Sequence, residues 1–145
     1  MGFFSKQSEY PDAIDKSKVG NYDALAKSGG GYFYDDVLEY RVWIHIPGEE
    51  VRFASFATYK EALQSSKDVN SGKEIITTDQ PAVVTAESPL VLVRQEEWID
   101  EPKTGKFIHK KGLQPRVAEW KPEWLVGRKG TKANIPKFLS EHSAK

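Results

Sequence analysis

The stretch at residues 89–102 constrains the fold most, because a run of aliphatic residues is followed there at once by charged ones. Residues 90–93 read Leu-Val-Leu-Val, which is typical of a strand buried on both faces. The chain then turns polar through residues 94–97 and reaches Trp98. We therefore predict a central core strand whose far end emerges into solvent, where a rigid element can carry a binding surface.

A second strand is indicated by strict alternation at residues 39–46. Tyr40, Val42, Ile44 and Ile46 fall on one face, and Arg41, Trp43 and His45 fall on the other. Turn residues at 47–50 and a further strand at 51–57 predict an antiparallel hairpin. Thr58 and Glu61 then have capping-box spacing, so a helix of about ten residues is expected to follow and to bury Tyr59, Ala62 and Leu63.

The rest of the chain predicts short elements. We expect a loop at 67–80, a short strand at 81–86, a turn at 101–105 and a return strand at 106–111 that ends in a turn at 111–112. We expect residues 117–125 to form the last strand or an extended edge, interrupted by Pro122, which disfavours a central position. Asn134 is expected to cap a short final helix that docks Phe138 and Leu139. The predicted fold class is α+β: a mostly antiparallel sheet of about five to six strands, one main helix and a short C-terminal helix.

A chain of 145 residues is the size of one domain, which we place at 32–145. Residues 1–31 are expected to form a flexible or peripheral leader that contains a short helix near residues 22–27. The chain has no cysteine, so disulfides and thiolate chemistry are excluded and a reducing cytoplasm is favoured. It has no apolar run long enough to cross a bilayer, so no membrane association is expected.

Charge is distributed unevenly although the formal net charge is zero. Residues 103–145 hold eleven Lys and Arg against three Glu, a net charge of +8, and the preceding residues carry −8. Such a split is typical of two regions that attract each other in the fold, or of a basic segment that binds nucleic acid. In the second case Trp120 and Trp124 would be stacking platforms for bases.

The candidate binding residues lie where charge and large rings coincide on the predicted strands. They are Arg41, Trp43, Arg94, Glu97, Trp98, His109, Trp120 and Trp124. A weaker candidate anion site is the basic loop that holds Arg128, Lys129 and Thr131. The histidines, His45, His109 and His142, lack the short spacing of metal ligands, and no nucleophile motif accompanies them, so no metal site and no catalytic residue are assigned.

Three segments resemble a known family. Residues 30–43, residues 56–63 and the stretch at 89–102 followed by residues 119–125 are similar to small bacterial proteins labelled GCN5-related acetyltransferases. The resemblance covers residues 30–140 and implies acetyl-CoA as cofactor, held by backbone amides of a glycine-rich loop that enters a helix. That loop is not found in this sequence, because residues 94–97 contain no glycine and the glycines at 127 and 130 have the wrong spacing.

The leading hypothesis is therefore a non-catalytic binding or adaptor module, without a cofactor, that presents a charged, Trp-rich rim to a protein or small ligand. One alternative is an acetyl-CoA-dependent N-acetyltransferase with a degenerate cofactor loop. The other is a nucleic-acid-binding protein that uses residues 103–145.

Overall fold

The computed structural model describes residues 10–23, 27–28, 32–72, 83–125 and 135–142. In this part of the chain six strands form one sheet: β1 (Lys27–Ser28), β2 (Asp36–His45), β3 (Arg52–Phe56), β4 (Thr85–Ala86), β5 (Leu90–Lys103) and β6 (Lys106–Trp120). The helices are α1 (Tyr59–Ser71) and α2 (Ile135–Glu141), and 3-10 turns lie at Lys16–Lys18 and Pro122–Leu125. The predicted α+β class with one main and one short C-terminal helix is confirmed.

The sheet runs in the order β1, β6, β5, β2, β3, and β4 pairs with the end of β2. All neighbours are antiparallel except β1 and β6. β5 is central, as its aliphatic run predicted, and Val91, Leu92 and Val93 are completely buried. The main core lies between this part of the sheet and α1.

The predicted alternation of β2 is confirmed on its apolar face, where Tyr40, Val42 and Ile44 belong to the main core. On the opposite face Arg41 is also fully buried. Arg41 is buried on this face because residues 10–23 pack against it. The backbone N–H groups of Ala13 and Ile14 donate to the carbonyls of Ala57 and Val37, and the guanidinium of Arg41 donates to the backbone carbonyl of Asp23.

The α1 helix begins where the capping box predicted. The Thr58 hydroxyl oxygen accepts the Glu61 N–H at 3.1 Å, and the hydroxyl donates to the Glu61 carboxylate at 2.9 Å. The helix ends at Ser71, and Gly72 after it adopts a φ of +80°, a left-handed conformation that glycine adopts without strain. The loop predicted at 67–80 is therefore wrong for residues 67–71, which are helical; residues 73–80 lie outside the described residues.

The hairpin formed by β5 and β6 differs most from the sequence prediction. β5 continues through Lys103, and the turn is confined to Thr104 and Gly105, with a φ of +79° at the glycine. β6 continues past the predicted end at residue 111, although its pairing register shifts there: Glu97 faces Lys111, whereas Gln95 faces Arg116. The extra residues of β6 between these two pairs form a bulge. The turn predicted at residues 111–112 is therefore wrong, because the strand continues.

Two further predictions are corrected near the ends of this sheet. Residues 117–120 belong to β6, which lies between β1 and β5, and Pro122 begins a 3-10 turn directly after the strand. The helix predicted at residues 22–27 is wrong at every described residue, because Tyr22 and Asp23 are not helical and Lys27 begins β1, which pairs with β6; residues 24–26 lie outside the described part.

A second apolar cluster is centred on Phe33, Ile99 and Ile135, with Phe107, Phe138 and Leu139 packed against it. The predicted docking of the last helix through Phe138 and Leu139 is therefore confirmed; Asn134 lies outside the described residues. No helix in the described ranges has both the length and the apolar character needed to span a bilayer.

Candidate functional site

The outer part of the hairpin projects beyond the rest of the sheet. β2 pairs with β5 only from Leu90 to Arg94, whereas β5 and β6 remain paired as far as Lys103 and Lys106. Successive residues of a strand point to opposite faces. Since Ile99 packs into the second cluster beside α2, Trp98 and Asp100 point to the other face, which we call the Trp98 face.

The Trp98 face carries an aromatic ring and a guanidinium in fixed geometry. The Arg116 guanidinium carbon lies 4.5 Å from the centroid of the Trp98 ring. Its nitrogens donate to the Gln95 side-chain oxygen at 2.9 and 3.1 Å and to the Asp100 carboxylate at 2.9 Å. Gln95 is itself buried and donates to the Phe33 carbonyl. Arg116 is thus held by three hydrogen bonds while its guanidinium lies over the indole ring.

Around this stack the same face is exposed. Ile108, the direct cross-strand neighbour of Asp100, is 44% exposed, and the exposed Lys110 lies opposite Trp98. The result is a surface with an aromatic ring, an ordered arginine, an aliphatic side chain and an ammonium group. Rings and arginines of this kind carry much of the binding energy in protein interfaces.

Two predicted site residues, Glu97 and His109, occupy the opposite face of the hairpin. His109 Nε2 lies 3.1 Å from a Glu97 carboxylate oxygen, and His109 is the cross-strand neighbour of Ile99. The sequence grouped these residues with Trp98 in one rim. The structure separates them, because adjacent strand positions alternate between faces.

A groove lies between the hairpin turn and α2. Its volume is about 670 Å³, and its lining residues are Pro102, Lys103, Lys106, Phe107, Ile108, Leu139 and His142. Phe107, Ile108 and Leu139 give the groove an apolar surface. Its polar side chains are those of Lys103, Lys106 and His142. The His142 ring is stacked on Phe138 at 4.2 Å, with its Nδ1 2.9 Å from the Phe138 carbonyl oxygen.

Arg41 and Trp43 belong to a separate, internal polar cluster. Arg41 Nε donates to Glu39 at 2.7 Å, and both side chains are fully buried. The Trp43 indole N–H donates to Glu119 at 2.8 Å. Burial raises the pKa of Glu119, and this effect exceeds the opposing hydrogen bond from Trp43 and the attraction of Arg41.

The Glu39 carboxylate in this cluster accepts three hydrogen bonds. It accepts hydrogen bonds from Arg41, from the Ser55 hydroxyl at 2.7 Å and from the Gly20 N–H at 2.9 Å. Arg41 also lies over the Phe53 ring at 4.3 Å. Because Arg41 has no exposed surface, it does not form part of a binding rim, contrary to the role predicted for it.

Arg94 is paired with Asp36 at the position where β2 begins, and its side chain is 42% exposed. Trp120 is fully buried against Tyr34, at a ring distance of 5.8 Å, and Trp124 is half-buried beside it at 6.2 Å. Trp120 is therefore not accessible as a stacking platform for a base, which corrects the role predicted for it. Arg128, Lys129 and Thr131 lie outside the described residues.

Sequence reasoning missed Gln95, Asp100 and Arg116, which interact beside Trp98, and it missed Lys103 and Lys106, which line the groove. Arg116 gave no signal, because its contact with Trp98 depends on the register shift in β6. The two lysines had a visible signal, since they flank the Thr-Gly turn symmetrically. A two-residue turn would have predicted that both lie at the tip of one hairpin.

The segment at residues 94–97, where the acetyltransferase resemblance implies a loop entering a helix, is a strand here. It continues β5, and the N–H of Glu96 donates to the Asp35 carboxylate at 2.5 Å. Searches against protein-family models, curated proteins and solved structures gave no significant match.

Proposed function

We propose that the protein is a non-catalytic binding module that docks a partner protein on the Trp98 face of the β5–β6 hairpin. The observation that carries this proposal is the stack of Arg116 on Trp98, held by Gln95 and Asp100. An interface gains affinity when its aromatic and arginine side chains are ordered before binding, since less conformational entropy is then lost.

The surroundings of the stack support a protein partner. The projecting hairpin is supported from its other face by the cluster of Phe33, Ile99 and α2, so the Trp98 face is backed by packed structure. Exposed Ile108 and Lys110 extend the surface on the same face. This combination of a central ring with a charged margin resembles the usual arrangement of interface core and rim.

The test uses two adjacent lysines that lie on opposite faces of the hairpin. Lys110 is opposite Trp98, and Lys111 is opposite Glu97. Immobilised protein is incubated with lysate of the source organism, retained proteins are identified by mass spectrometry, and affinities are then measured with the purified partner. We expect Trp98→Ala and Lys110→Glu to weaken binding at least about tenfold, and Lys111→Glu to change it less than about threefold.

Two results would contradict the proposal. Equal losses for Lys110→Glu and Lys111→Glu would show that general charge, and not this face, drives binding. Turnover of acetyl-CoA with an amine acceptor would support the acetyltransferase alternative instead. Melting temperatures of all variants serve as the control for folding.

A further inference from the structure

The groove between the hairpin turn and α2 is a second candidate site, which shares Ile108 with the Trp98 face. Trp98, Arg116 and Lys110 do not line it. Its volume of about 670 Å³ lies within the range of sites for small organic ligands, roughly 300–1,000 Å³. Phe107, Ile108 and Leu139 supply apolar surface, which favours an alkyl or aryl group.

The charges around the groove determine which head group fits. Lys103 and Lys106 flank the turn, and the residues that line the groove include no carboxylate. Within the described residues neither lysine forms an ion pair. The carboxylate of the nearby Glu101 already accepts two hydrogen bonds. One oxygen accepts a bond from the Tyr32 hydroxyl and the other accepts one from the Gly105 N–H, each at 3.0 Å.

We propose that this groove binds a small anionic amphiphile, a carboxylate with an aliphatic or aromatic tail. The tail lies on Phe107, Ile108 and Leu139, and the carboxylate lies between the ammonium groups of Lys103 and Lys106. A second copy of the chain fits less well, because self-pairing along the outer edge of β6 would bring Lys106, Lys110 and Lys111 close to the same residues of the copy. The proposal does not depend on the partner surface described above.

Calorimetry with decanoate tests the proposal, with hexanoate and octanoate as a chain-length series. We expect affinity to rise by about fourfold per methylene group and to fall at least tenfold for decanol, which lacks the charge. The double variant Lys103→Glu/Lys106→Glu should lose at least about tenfold in affinity for decanoate. The control, Lys110→Glu/Lys111→Glu, makes the same charge change on the same hairpin outside the groove and should retain decanoate binding within about threefold.

A second measurement locates the ligand: amide NMR shifts on titration with decanoate should be largest at Phe107, Leu139 and their neighbours. The proposal is overturned if decanoate does not bind at millimolar concentration, if both double variants lose affinity equally, or if affinity is independent of chain length. It is also overturned if an acidic amphipathic peptide binds and decanoate does not. A concentration-dependent dimer that Lys103→Glu/Lys106→Glu abolishes would show that a second copy occupies the groove.

Discussion

Arg41 shows how one side chain connects distant parts of the chain. Its guanidinium joins Glu39 on the same strand, the Asp23 carbonyl in the N-terminal segment and the Phe53 ring on β3. Burying an ion pair costs desolvation free energy, which is offset only when the remaining donors and acceptors are also used. Here the Ser55 hydroxyl and the Gly20 N–H donate further hydrogen bonds to the Glu39 carboxylate.

A first stability prediction concerns Glu39 when its partner Arg41 is removed. Arg41→Met leaves Glu39 charged and buried without its cation, so we expect a loss of about 3–5 kcal/mol in the free energy of unfolding, measured by urea denaturation. The double variant Glu39→Gln/Arg41→Met removes both charges and should recover more than half of that loss. Equal losses in the single and double variants would contradict an origin in the uncompensated charge.

Among the secondary-structure elements, α1 begins at an exposed cap whose contribution can be isolated. Thr58 accepts the Glu61 N–H, one of the helix N–H groups that lack an intrahelical acceptor. Thr58→Ala should therefore lower the free energy of unfolding by about 1 kcal/mol, and Thr58→Ser should restore most of it because serine keeps the hydroxyl. Thermal or urea unfolding of the three proteins provides the comparison, and an equal loss for serine would argue against the capping role.

The hairpin shows that one element can carry two separate surfaces. Alternation along β5 sends Trp98 and Ile99 to opposite sides, and Ile99 is covered by the second apolar cluster. The Trp98 face therefore stays accessible while the other face supports the hairpin. The groove lies at the outer end of the hairpin, where the turn meets α2.

The whole molecule is tied together by residues 10–23, which contact both faces of the sheet. Tyr10 packs on Tyr59 of α1 at a ring distance of 4.3 Å, and the Tyr40 hydroxyl donates to the Pro11 carbonyl. Farther along, Gly20 and Asp23 bind the buried pair on the opposite face. The segment thus passes around the end of the sheet at which β2 begins.

Deletion of residues 1–23 tests this connection. Loss of the hydrogen bonds to Glu39 and Arg41 should cost at least about 3 kcal/mol, which corresponds to a fall of roughly 10 °C in melting temperature for a chain of this size. The same deletion in the Glu39→Gln/Arg41→Met protein should cost less, because the bond from Arg41 to Asp23 is already absent. Identical costs in both backgrounds would contradict the coupling.

Charge complementarity explains part of the uneven charge distribution. Asp100 from the acidic part pairs with Arg116 from the basic part at 2.9 Å. The exposed lysines of the hairpin, Lys103, Lys106, Lys110 and Lys111, have no ion-pair partner among the described residues. Binding of nucleic acid by residues 103–145 stays a prediction.

Elements whose signals are local could be predicted from the amino-acid sequence alone. The aliphatic run of β5, the alternation of β2 and the capping box of α1 each express a physical preference of neighbouring residues, and each led to the observed element. The positions of the site residues depend instead on tertiary packing. Contacts between residues far apart in the chain buried Arg41 under Asp23, placed Arg116 on Trp98 through the shift in β6 register, and separated Trp98 from Glu97 and His109. The emerging end of the central strand was visible in the sequence, but the faces to which its side chains point followed from packing.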